Sequence, residues 1–204
     1  MIKFRKLTAD EVEVRVGAVG SKYVTLLLYK NARVDMQILD ETVGPEAWQR
    51  EHYECKGNLF CRVGIYFSDF PAPGWVWKAD CGSESYTEKE KGEASDSFKR
   101  ACVNWGIGRE LYTSPTIFVP LEQAKVKDGK CYTKFQVTEI GYDDDGKINA
   151  LTIARLGFNG DYEDVVYSFG DTEAIRLLVY KKSNAPAPKT ERTNAPPTEY
   201  RRAK

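Results

Sequence analysis

One segment limits the folds open to this chain more than any other. Between Thr87 and Gly108, the apolar residues Ala94, Phe98, Ala101, Cys102 and Trp105 fall within about 100° of one another on a helical wheel and form a single stripe. Thr87 with Glu90 three positions on has the form of a capping box, and Gly106 and Gly108 supply a stop. Asp96, Lys99, Arg100 and Val103 point the other way. A lone amphipathic helix must lay its stripe on another apolar surface. Most of the remaining chain is patterned to supply strands.

Val12, Val14 and Val16 alternate with Glu13 and Arg15, and the β-forming run 23–29 follows after 17–20. This predicts a hairpin, with Gly17 to Gly20 read as its turn rather than as a phosphate loop. Val34, Ile38, Leu39, Thr42 and Val43 then recur at helical spacing up to the stop pair Gly44 and Pro45. Residues 59–67 and 75–81 read as strands separated by the turn-rich SDFPAPG, with 52–55 pairing with the first. The expectation is an α+β fold: a ββαβββα core with at least four strands in one antiparallel sheet packed on the long helix. Beyond Pro115, segments 132–140 and 148–156 flank DDDG, a hairpin turn signal, and 165–169 adds a strand before a helix over 172–180. From Ser183 onward, Pro186, Pro188, Pro196 and Pro197 and a five-to-two excess of basic over acidic residues predict a disordered basic tail. The expected division is a core over 1–114, an appended β-rich extension over 115–182, and a tail over 183–204.

Several activities are disfavoured by what the chain lacks. With 204 residues and 42% hydrophobic content it can build a core without a disulfide or metal staple. No apolar run approaches the roughly 18 residues of a membrane span, and the first residues lack the apolar region of a secretory signal, so a soluble cytoplasmic protein is expected. Five cysteines without a CxxC pair read as free thiols. His52, Cys55, Cys61 and Cys81 offer donors that zinc prefers, but their spacing is wrong for common structural sites. With His52 the only histidine, a Ser-His-Asp triad would have to be built around that ring. There is no G-x-x-x-x-G-K-[ST] loop for a triphosphate, so neither an ATP-driven motor nor a cofactor is expected. Asp143, Asp144 and Asp145 with Lys147 could serve a magnesium-dependent nuclease, although a D-G hairpin turn explains the same residues.

Charge is balanced at 30 basic against 30 acidic residues, so any affinity for nucleic acid must be local. Lys3, Arg5, Lys6, Arg15, Lys22, Lys30 and Arg33 crowd the first part, while Asp143 to Asp145 form an acidic knot. Lys99 and Arg100, preceded by Lys89 and Lys91, lie on the helix's polar face. A charge pair there is usually a solvated face.

The wider pattern shifts that balance. The stretch KGEASDSFKRACVNWGIGRELY resembles the signature helix of the Rad-fifty-two superfamily of single-strand annealing proteins, especially its phage and bacterial members. The resemblance rests on Glu93, Ala94 and Asp96, the Lys99, Arg100, Ala101 block, and the Trp105, Gly106 ending. Upstream, EVEVRVGAVGSKYVTL, a helix and GPEAW are similar to the region that opens the same core, so roughly 7–114 are covered. The resemblance implies a subunit that assembles into rings or arcs, with single-stranded DNA in a positive groove. It assigns phosphate contacts to Lys99 and Arg15, an adjacent basic position to Arg100, and, on a weaker alignment, a basic position to Lys22. Val103 stands where eukaryotic members often carry a further cation. Annealing asks that a strand be held by its phosphates with base edges free, which needs no catalytic residue. The implied activity is ATP-independent annealing in recombination or repair. Implied partners are single-stranded DNA, further copies of the chain, and a single-strand binding protein or exonuclease. The rivals are the magnesium nuclease and an adaptor acting through the tail.

Overall fold

The first hairpin joins β1 (Glu13–Val19) to β2 (Tyr23–Tyr29), with Glu13 opposite Tyr29 and Arg15 opposite Leu27. Alternation sends Val24 and Leu26 into the core and leaves Arg15 and Leu27 exposed. The computed structural model describes residues 2–69, 72–83, 89–157 and 159–172. It corrects one turn: Gly17 lies inside β1 at a bulge between Val16 and Ala18, and the chain reverses over 20–22, where Gly20 N donates to Tyr23 O at 2.9 Å. A Cβ at Gly17 would stand 2.9 Å from Leu27 Cδ1, so the glycine serves the bulge rather than the turn.

Helix α1 (Ala32–Val43) starts where the Asn31 side chain accepts from Arg33 N and Val34 N, and ends at Gly44 with φ 87°. It buries Val34, Ile38 and Leu39. Next come β3 (Trp48–Cys55), β4 (Asn58–Phe67) and β5 (Gly74–Cys81), a three-stranded antiparallel sheet in that order. Helix α2 (Lys89–Trp105) lies across it. Phe98 is fully buried, stacked 6.2 Å from the Trp48 ring, with the Arg50 guanidinium 4.7 Å from its centroid. The Trp105 indole donates to Val63 O at 2.9 Å. The apolar stripe thus meets β4 and its neighbours.

The expected single sheet is in fact two. Strands β1 and β2 belong to a six-stranded antiparallel sheet, order β6-β2-β1-β7-β8-β9, built with β6 (Ile117–Pro120), β7 (Lys134–Tyr142), β8 (Ile148–Leu156) and β9 (Tyr162–Phe169). Each outer edge of the hairpin needs backbone partners. Strand β6 satisfies β2, with Ile117 opposite Leu26, while β7 meets β1 at Glu13 and Gln136. The strands between 117 and 169, expected as an appendage, therefore continue the hairpin's own sheet. Arg155, only 8% exposed, ties this sheet's far side together by donating to Gln123 O and Glu163, both at 2.8 Å, and to Asp164.

The Thr87 cap, the helix expected over 172–180 beyond Thr172, and the tail over 183–204 lie outside the described residues. No helix among those described is long and apolar enough to cross a membrane.

Candidate nucleic-acid interface

Asp96, Lys99, Arg100 and Val103 recur at positions i, i+3, i+4 and i+7 of α2, so they share one face. That face turns toward the end of β2 and encloses a cavity of about 240 Å³ with Leu28, Tyr29, Lys30, Gly108 and Tyr112. Lys99 is half-buried rather than on the exposed face expected for it, and among the described residues it makes no hydrogen bond or ion pair. Arg100 reaches the same space and also pairs with Asp80 at 3.3 Å.

Beneath these cations lies a buried pair. Lys30 is 4% exposed and donates to Oδ1 of Asp35, which is wholly buried. Among the described residues the other oxygen, Asp35 Oδ2, has no well-formed hydrogen bond, although the Cys102 thiol also favours the charged carboxylate. Burial pushes the Asp35 carboxyl up to about 6, against the opposing pull of Lys30 and, more weakly, of Lys99.

Arg15 projects from the outer face of the hairpin into a second space, a wedge of about 420 Å³ where β1 and β7 diverge beyond their single pair, walled on the far side by Lys134 and Phe135. Arg15 also has no hydrogen bond or ion pair among the described residues. Tyr29 lines both spaces and so stands between the Arg15 wedge and the Lys99 cavity. Burial and the neighbouring Glu13 push its hydroxyl up to about 12, so it stays protonated and able to donate.

The structure therefore brings together Lys99 and Arg100, with Arg15 next door. It does not bring the others. Lys22 sits at the hairpin tip, past Val19, where its carbonyl accepts from Leu121 N. Lys89 and Lys91 precede Lys99 by ten and eight residues, about 12 to 15 Å along the helix axis at 1.5 Å per residue. In the sequence Lys30 is one of the early cations and nothing more. A lysine closing a β-forming run gives no signal that it is buried; the one local hint is Asp35, five residues on, which strand and helix patterning assign to different elements.

The two alternative chemistries have structural explanations. His52 pairs across the sheet with Cys61, whereas Cys81 pairs with Phe60 and Cys55 with Asn58, so the pleat puts His52 and Cys61 on the helix side and the other two cysteines on the opposite face. His52 Nε2 lies 3.0 Å from Ala94 O, and burial pushes the Cys61 thiol up to about 11. Asp143 Oδ1 accepts from Lys147 N at 2.8 Å, and Gly146 N donates to Asp143 O at 2.9 Å, which fixes a tight turn. Among the described residues no three His, Cys, Asp or Glu side chains are grouped to hold a metal ion.

A family model described as Rad52/22 family double-strand break repair protein matches residues 4–130, more than half of the chain. That interval contains Arg15, Lys30, Lys99 and Arg100. No curated protein and no solved structure matches.

Proposed function

The chain belongs to the Rad52/22 family of double-strand break repair proteins, and on that premise we propose that it binds single-stranded DNA and anneals complementary strands without ATP, as an oligomeric ring or arc. The observation that carries this reading is the pair of cation-lined spaces sharing Tyr29: Lys99 and Arg100 in one, Arg15 in the other, with Lys99 and Arg15 making no hydrogen bond or ion pair among the described residues. Side chains of this kind hold phosphates and leave base edges free for a second strand, which is what annealing requires. Repetition around a ring would line up many such pockets, so a chain of zero net charge can still present a strong positive groove. The ββαβββα segment within 1–114 acts as the annealing core. Lys22, Lys89 and Lys91 lie outside the two spaces and serve as peripheral contacts along the strand. The setting is a phage or bacterial one, in the host cytoplasm, beside a single-strand binding protein or exonuclease.

The test is oligonucleotide binding by Lys99→Ala and Arg15→Ala proteins across a salt series. Each lost phosphate contact on a single strand should lower affinity and flatten the slope of log affinity against log salt by roughly 0.7 per bound subunit. The loss should be the same for different base sequences. Folded variants with wild-type affinity and slope would refute the assignment.

A further inference from the structure

We propose that Lys30 is a further phosphate-contacting residue, forming the floor of the Lys99 cavity, and that Asp35 is the positioning residue that holds it there. The inference deepens the reading of this cavity as the seat of a single-stranded DNA backbone and rests on it.

Four observations lead to it. Lys30 lines the cavity although it is 4% exposed, and among the described residues its only side-chain hydrogen bond goes to Asp35. An ammonium has three donors, so two remain for an incoming oxyanion. Second, the lysine is given its path by a glycine. Gly108 has φ 69°, and a Cβ there would overlap Lys30 Cε and Cδ. Third, the pair is poorly explained by stability. Replacing a buried ion pair with apolar groups of similar size is often neutral or stabilising, and among the described residues Asp35 Oδ2 has no well-formed hydrogen bond. Fourth, two of the three carboxylates near the cavity are paired with its cations, and the third, Asp96, keeps its charge beside Arg100. Asp96 accepts from Ser83 N at 3.0 Å, Asp80 pairs with Arg100, and Asp35 holds Lys30. Lys30, Lys99 and Arg100 thus converge on one small partly open space, where a bound anion would meet all three charges. Asp35 balances Lys30, and when a phosphodiester binds, the two spare donors of Lys30 turn to its oxygens while Asp35 fixes the ammonium from behind.

The test uses the full chain and two paired substitutions, Lys30→Met/Asp35→Leu and Lys30→Gln/Asp35→Asn. Each removes one positive and one negative charge, so net charge is unchanged and a loss of binding reports direct contact. The first replaces the pair with apolar groups, the second keeps an amide hydrogen bond, and so a folding failure in one leaves the other to be read. Binding of an oligothymidine is followed by fluorescence anisotropy at several salt concentrations beside wild type and Lys99→Ala. The expected result is a melting temperature at or above wild type, affinity lower by about tenfold, and a salt slope flatter by about 0.7 per subunit. If the folded pair variants bind like wild type while Lys99→Ala is impaired, Lys30 is structural and this inference falls alone. If wild type itself does not bind the oligonucleotide, the reading of the cavity falls with it.

Discussion

Phe98→Ala tests whether packing and binding are separate on the two faces of α2. The Phe98 ring is wholly buried between the Trp48 ring at 6.2 Å and the Arg50 guanidinium at 4.7 Å. Truncating such a ring costs about 3 to 5 kcal/mol, combining lost transfer energy with the cavity left behind. Total stability for a domain is about 5 to 15 kcal/mol, so the variant should still be mostly folded in buffer. With a urea dependence of about 2 kcal/mol per molar, a loss near 4 kcal/mol moves the unfolding midpoint down by about 2 M. Urea titration monitored by tryptophan fluorescence reads this directly, because Trp48 stacks on the missing ring. Lys99→Ala, on the opposite face and without a hydrogen bond among the described residues, opens no cavity in the core and should cost no more than about 0.5 kcal/mol, moving the same midpoint by no more than about 0.25 M. A Phe98→Ala midpoint within about 0.5 M of wild type, at unchanged slope, would show that α2 is not anchored through its stripe.

Two further outcomes follow from the same packing. The Asp35 carboxyl titrates near 6 when folded, above its ordinary value, so its contribution to stability is full below about pH 4 and is lost as pH rises through 6; thermal melts of wild type and Asp35→Asn should therefore diverge over that interval, with wild type losing ground, and parallel curves would contradict the burial of this carboxyl. Gly82→Ala should destabilise by about 1 to 3 kcal/mol, because the added methyl would overlap the backbone oxygen of Glu93 on α2 and force the helix off β5; a melting temperature unchanged from wild type would refute that close approach.

Strand and helix positions were largely legible because side-chain period reports which face is buried. Val14 and Val16 against Arg15 marked β1, and the spacing of Ala94, Phe98, Ala101 and Cys102 marked the buried face of α2. Sheet membership was not legible, since period says nothing about which edge a strand meets. Nothing in the run Tyr23–Tyr29 indicates that its partner is Ile117–Pro120, a four-residue strand whose last residue is a proline. The same limit applies at the site. Lys99 and Arg100 could be placed on one helical face from spacing, and Arg15 on a strand, but their common neighbour Tyr29 and the buried Lys30–Asp35 pair arise only when β2, α1 and α2 meet. Gly17 misled for a related reason, because a glycine that allows a bulge and a glycine that makes a turn look alike in one sequence.

On the proposed function, this chain pairs complementary single strands by holding their phosphates. The most direct measurement mixes two complementary labelled oligonucleotides with purified protein, without nucleotide triphosphate and with EDTA present, and follows duplex formation by energy transfer between the labels. Annealing well above the spontaneous rate, lost in Lys99→Ala and Arg15→Ala proteins that remain folded, is the predicted result. Duplex formation no faster than without protein, or acceleration undiminished in both variants, would contradict the account.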